Sequence, residues 1–347
     1  MKYVEIDKKM ECENCTFIKT VLMLIVVFYH SILFWNGTWY TANPVFSSSA
    51  MESIAMWLNT FHIYGFTLVS GYLFYFLKEE QGKYKRFDKF MLNKAKRLLI
   101  PYFFVMIIWV APISYTYNEF DVKHAVRKYL LGTAPSQLWF LLMLFNVFML
   151  MWPLSGILSR HHIGSIFLGL VFYGIGLIGG HLFPNYFQIL TSCQYVIFFI
   201  AGFKLRQYGS RQVLRLPWYM WIIGSGALFY ASNLLSYNNS LICKLLSIGL
   251  SFACNMIGAL MAFVVLQKIA AKFDCRNNKL TNHLSKYAMP IYLFHQQFVY
   301  FFISVLNGVV NPYLNAAVNF IGSLTLSLLL SVFLMKFKIT RFLIGEK

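Results

Sequence analysis

Three histidines stand inside long apolar runs of this chain: His30, His62 and His295. A polar ring is expensive in a segment made to face lipid, and one found there usually has a partner or a task. The plainer reading of each is a packed ring with its hydrogen bonds satisfied. His30 carries more, because Lys19 precedes it by eleven residues in Lys19-Thr20-Val21-Leu22-Met23-Leu24-Ile25-Val26-Val27-Phe28-Tyr29-His30. That interval is close to three helical turns. The two side chains therefore share a face to within roughly 20° and lie roughly 16 Å apart along the axis. A cation at a membrane edge, with an imidazole about half a hydrocarbon core deeper, can hold an anionic headgroup at one end of a long ligand and act on the other. An imidazole with an ordinary pKa of about 6.5 suits general-base or nucleophilic work near neutral pH.

The elements that must position these groups are membrane helices. The 347 residues are 59% hydrophobic and only 12% charged, with a mean hydropathy of +0.59, against about 25% charged in a typical soluble chain. Aromatic residues make up 19% and suit interfacial belts. Hydropathy predicts ten spans, at 17–35, 54–77, 98–116, 138–157, 164–180, 189–203, 217–233, 245–267, 287–306 and 314–335. The expected fold is all-α, a polytopic membrane helix bundle of about ten transmembrane helices with both termini cytoplasmic. It forms one integral-membrane domain over 1–347: a tail 1–16, a core 17–335 and a tail 336–347. No cleavable signal is expected, since the first apolar run lacks a small-residue cleavage site and reads as an anchor. Cys12-Glu13-Asn14-Cys15 is a C-x-x-C with no second pair to complete a zinc site. No metal is expected, and the six cysteines read as reduced thiols.

Charge fixes the orientation. Of the 30 lysines and arginines, only Lys123, Arg127, Lys128 and Lys244 fall in loops on one side of the ten-span layout; the rest fall on the other. The basic side is the cytoplasmic one. The formal net charge of +18 is thus a topology signal, and no nucleic-acid partner is expected. All twelve acidic residues fall outside the predicted spans. Proton-coupled transporters commonly use intramembrane carboxylates, so this counts against a transporter. An exporter of glycans or lipids is the alternative function, but no internal repeat or matched pair of broken helices supports it.

Several segments resemble the acyltransferase-3 family of membrane acyltransferases. Lys19 and His30 match its basic-x10-His pattern in the first helix. Phe61 to Leu73, containing Ser70-Gly71-Tyr72, is similar to the second-helix pattern ending in Ser-Gly-Tyr. Lys94-Ala95-Lys96-Arg97 followed by Pro101 resembles the basic-x-x-Arg motif before the third helix. Leu138-Trp139-Phe140-Leu141 fits the Trp-Phe start of the fourth, and Tyr292-Leu293-Phe294-His295 the late Tyr-Leu-x-His segment. The motifs run in family order from residue 17 to about residue 300. Two features depart from the pattern. The usual proline near Tyr64 or Gly65 is absent, and no acidic residue follows Lys19 early in helix 1, so an acidic partner for His30 is not evident.

The resemblance implies an O-acyltransferase in the cell (inner or plasma) membrane. Its donor would be cytoplasmic acyl-CoA, acetyl-CoA by default, used as a substrate with no bound cofactor. The acceptor would be a hydroxyl of an envelope or exported sugar or glycan, free or lipid-linked. Lys19, Lys94 and Arg97 would bind the CoA phosphates. His30 would be the catalytic base or a transient acyl carrier, with His62, Ser70, Tyr72, Trp139, Tyr292 and His295 as accessory residues. The bland alternatives are that Lys94 and Arg97 only anchor topology, that Gly71 only allows close helix packing, and that Tyr72 is a belt aromatic. A non-catalytic envelope partner with the same fold is a third reading.

Overall fold

A computed structural model describes residues 8–37, 42–117, 122–236 and 240–346. Among these the chain is helical with no strand. Ten long helices follow in order: α1 (Lys8–Ile32), α2 (His62–Tyr75), α3 (Phe87–Val105), α4 (Trp139–Arg160), α5 (His162–Leu182), α6 (Ile189–Tyr208), α7 (Trp218–Ser236), α8 (Leu241–Lys272), α9 (Lys279–Leu306) and α10 (Pro312–Leu334). All but α2 and α7 belong to helical stretches long and apolar enough to cross a membrane. The chain is an all-α polytopic membrane bundle. Its outer surface is correspondingly apolar, with Ile163, Phe167, Ile178 and Ile223 among many large side chains left exposed, as lipid-facing positions should be.

Three boundaries differ from the hydropathy reading, each for a tertiary reason. Helix α1 starts at Lys8, so Glu11 and Asn14 lie within it and are buried; Glu11 accepts from Tyr72 and Ser210, and Asn14 Nδ2 donates to Gln267 Oε1 of α8 at 2.9 Å. The expectation that no carboxylate lies inside a span is corrected for Glu11, Glu13 and Asp88, which fall in the end turns of spanning helices, Glu11 buried and the other two exposed. The second span is two helices, Ser49–Asn59 and α2. The Thr60 hydroxyl donates to the Trp57 carbonyl at 2.7 Å, ending the first helix. At this corner α8 comes so close that a Cβ on Gly258 would sit 3.1 Å from the Thr60 carbonyl oxygen. Helix α3 begins at Phe87, eleven residues before the predicted 98. Lys94 and Arg97 therefore ride on a helix, three residues and about 300° apart on neighbouring rows of one face.

Lipid removes the hydrophobic drive between helices, so small residues and polar contacts must join them. The crossing of α2 and α6 shows this. A Cβ on Gly71 would lie 2.0 Å from the Phe199 carbonyl oxygen, and one on Gly202 would lie 1.8 Å from that of Leu68. The backbones touch where the two glycines sit. Helix α1 packs against α2, α8, α9 and α10, which makes it the shared wall on which Lys19 and His30 are mounted. Asn319 of α10 is fully buried and donates to the Ser31 carbonyl at 3.1 Å, fastening the far end of α1 beside His30.

Candidate functional site

Residues 30 and 295 meet. His30 Nδ1 and His295 Nε2 are 2.8 Å apart, and the ring centroids are 5.0 Å apart. The surrounding acceptors decide which nitrogens carry protons. His295 Nδ1 faces two carbonyl oxygens of its own helix, Tyr292 at 2.8 Å and Ile291 at 3.3 Å. Carbonyls only accept, so Nδ1 is the N–H of His295. Its Nε2 is then the acceptor in the neutral ring, and His30 must donate from Nδ1. The Val26 carbonyl one turn back is a further acceptor for the His30 ring. This chain of donors makes Nε2 the basic nitrogen of His30, oriented as a second residue orients an imidazole base in other enzymes.

The third histidine stands beside this pair. His62 is 2% exposed; its Nδ1 donates to the Leu58 carbonyl at 2.7 Å, and its ring lies 4.6 Å from that of Tyr29. It is close enough to His30 to couple electrostatically. Tyr29 spans the gap, with its ring 5.1 Å from His30. On the next layer Tyr64 of α2 stacks on Tyr195 of α6, 4.7 Å apart with planes 6° from parallel, and Trp139 leans on Tyr195 at 5.8 Å. Tyr29, His30 and Tyr64 lie deep in the bundle yet keep part of their surface accessible.

The turn of α9 that carries His295 is fixed from several sides. The Tyr292 hydroxyl donates to the Gln137 carbonyl. Gln137 Nε2 donates to the Leu293 carbonyl and to Gln297 Oε1, each at 2.8 Å, and Trp109 Nε1 donates to the Phe294 carbonyl at 3.3 Å. Tyr292 thus acts through backbone and orientation, holding both His295 and the start of α4.

Lys19, Lys94 and Arg97 gather about three turns of α1 toward the basic-loop end. Lys94 couples electrostatically to both of the others, and Lys19 to Arg97. Lys94 Nζ stands 3.6 Å from the Phe148 ring centroid and 5.3 Å from that of Phe90. Among the described residues none of the three cations forms an ion pair. Three mutually repelling cations held together with no ion pair among the described residues give this end of the bundle a potential that favours an anion. Arg97 does feel one carboxylate electrostatically, that of Glu346. Gly345, at φ +81°, brings the C-terminal segment so close that a Cβ there would be 2.9 Å from the Arg97 carbonyl oxygen. Burial pushes the Glu346 carboxyl up while Arg97 pulls it down.

Ser70 and Tyr72 do not join the histidines. They lie eight and ten residues along α2 from His62, about 12–15 Å toward the basic end. Tyr72 belongs to a buried knot there: its hydroxyl and that of Ser210 donate to Glu11. Arg206, 4% exposed, donates to the Tyr72 oxygen at 3.0 Å and to the Lys8 carbonyl at 2.8 Å. It also grips both oxygens of Glu80 at 2.7 and 2.6 Å. The knot joins α1, α2 and α6 at one end and fixes the depth at which α1 presents Lys19 and His30. Sequence reading treats Glu11 and Arg206 as loop charges and gives no site role to Tyr29, Tyr64, Tyr195 or Gln137. The Gln296-Gln297 pair directly after His295, polar inside an apolar run, was the legible signal among those missed. No group of three or more histidine, cysteine or carboxylate side chains forms a metal site among the described residues.

Residues 14–336 match the family model of an acyltransferase domain, acyltransferase-3. No curated protein and no solved structure matches the chain.

Proposed function

Because the chain belongs to the acyltransferase-3 family of membrane acyltransferases, we propose that it moves an acyl group, most simply acetyl, from cytoplasmic acyl-CoA to a hydroxyl of an envelope or exported sugar or glycan at the cell membrane. The observation that carries this reading is the line along α1: the cluster of Lys19, Lys94 and Arg97 at one end and the oriented His30–His295 pair about 16 Å deeper. A CoA thioester has the same layout, with phosphates at one end and the reactive carbonyl at the end of a thin arm.

In this mechanism the three cations hold the phosphates by charge-assisted hydrogen bonds. The arm runs along α1, and the thioester carbonyl reaches the accessible faces of Tyr29, His30 and Tyr64. His30 Nε2 takes the proton of the acceptor hydroxyl as its oxygen attacks the carbonyl carbon. A C–O bond forms, the C–S bond breaks, and the same proton passes from His30 to the departing CoA sulfur. The atoms balance without a further reactant. His295 accepts from Nδ1 throughout, and its own N–H rests on the Tyr292 carbonyl. The site cations sit about three turns from His30, so a neutral, short acyl group fits better than succinyl.

The test follows CoA release from acetyl-CoA by purified protein in nanodiscs, with and without candidate glycans, for the wild type and His30→Ala. Acceptor-dependent release that disappears in His30→Ala is expected. Equal release from both proteins removes His30 from the chemistry. Label from acetyl-CoA retained on wild-type protein replaces direct transfer with an acyl-histidine intermediate.

A further inference from the structure

Gln296 follows the paired His295 and points elsewhere, about 100° further round α9. It is 3% exposed. Its Nε2 donates to the Tyr300 hydroxyl at 2.6 Å, one turn away from the basic end, while its Oε1 is buried with no partner among the described residues. Turning the amide over does not close this account. Oε1 would then accept from Tyr300, and the two N–H donors would be left facing the same place. Either way one half of a buried amide is open, an arrangement proteins seldom tolerate unless something fills it.

A second observation points to the same place. Ser136, in the turn before α4, has φ +54°, a left-handed conformation that a residue with a Cβ rarely adopts. The strain carries its hydroxyl beside that of Tyr300, within reach of a weak hydrogen bond, and Ser136 Oγ is buried with no well-formed hydrogen bond among the described residues. The neighbouring Gln137 is pinned to Leu293 and Gln297, so the turn is held against this face of α9. An amide and a serine hydroxyl, both unsatisfied, thus flank the Tyr300 hydroxyl immediately beyond His295, on the side away from the CoA cations. The amide and the serine hydroxyl each leave hydrogen-bonding capacity open, and neither is charged.

We propose that Gln296, Tyr300 and Ser136 form the subsite for the acceptor, and that it takes an uncharged polyhydroxyl group such as a pyranose ring. A hydroxyl both donates and accepts, so adjacent hydroxyls of one ring satisfy the open amide and the serine together. The acceptor approaches from the end opposite the CoA phosphates, and one of its hydroxyls is delivered to His30. This rests on the acyltransferase reading for its chemistry, but the existence of the subsite does not.

Two arms test it, both with octyl glucoside below its micelle concentration as the probe. In the first, Gln296→Met keeps the length and shape of the side chain and removes both polar atoms, and Gln296→Glu restores an acceptor oxygen. Gln296→Met is expected to raise the KM for the glucoside about tenfold with the acetyl-CoA Kd unchanged, and Gln296→Glu to recover part of the loss. A KM unchanged in Gln296→Met overturns the proposal. The second arm needs no turnover. A Gln296→Cys protein is labelled with a thiol reagent, read by the mass of the peptide holding residue 296, and the glucoside is expected to slow labelling. If labelling is slowed but acetyl-CoA neither binds nor reacts, the subsite stands and the acyltransferase reading falls. If the glucoside gives no protection, the subsite is refuted.

Discussion

The His30–His295 hydrogen bond makes a prediction that separates orientation from mere presence. In His295→Phe the ring volume is kept and the acceptor at 2.8 Å is lost. His30 then keeps the Val26 carbonyl but no longer has a partner that fixes ring direction and tautomer. Leaving a buried N–H less well satisfied costs about 1–3 kcal/mol. If most of that cost falls on the competent arrangement, kcat drops about 10- to 100-fold. The acetyl-CoA Kd should hold, since the cations are about three turns away. His295→Gln provides the control, because its amide can place Oε1 where Nε2 stood. It should recover most of the rate. The assay is initial-rate CoA release under saturating acetyl-CoA, with separate measurement of donor affinity. Phe and Gln variants equally impaired, or a Phe variant as fast as wild type, would refute the claim that His295 orients His30.

Three further outcomes follow. Lys94→Ala and Arg97→Ala should each weaken acetyl-CoA binding about tenfold at low salt, with the difference shrinking as salt rises, read by calorimetric titration. Glu346→Gln should tighten the same binding about two- to threefold, because it removes the one carboxylate beside Arg97. Its carboxyl is pushed up by burial, so the ionised form exists only at higher pH; the gain over wild type should be largest there and vanish as the pH falls through that raised value. Gly202→Ala should lower thermal stability in detergent by about 1–3 kcal/mol. Its Cβ would start 1.8 Å from the Leu68 carbonyl oxygen, so α2 and α6 must part; an unchanged melting temperature would show that this crossing yields freely.

What the sequence determined was whatever a single helix can hold. Three turns of α-helix bring Lys19 and His30 onto one face whatever surrounds them, because 3.6 residues per turn is a local property. The apolar runs and the one-sided placement of Lys and Arg likewise make a polytopic bundle of this topology before any helix has a neighbour. The partners came only with the tertiary structure. His30 meets His295 across 265 residues, and that contact assigns the tautomer. Glu11 looked like a tail charge until Tyr72 and Ser210 closed around it, and Arg206 looked like a topology charge until Glu80 did the same. Inside lipid a polar side chain is paired or costly, and the pair usually sits on another helix. Periodicity in one segment carries no record of which helix that is; the touching backbones at Gly71 and Gly202 and the pairings across α1 decide it.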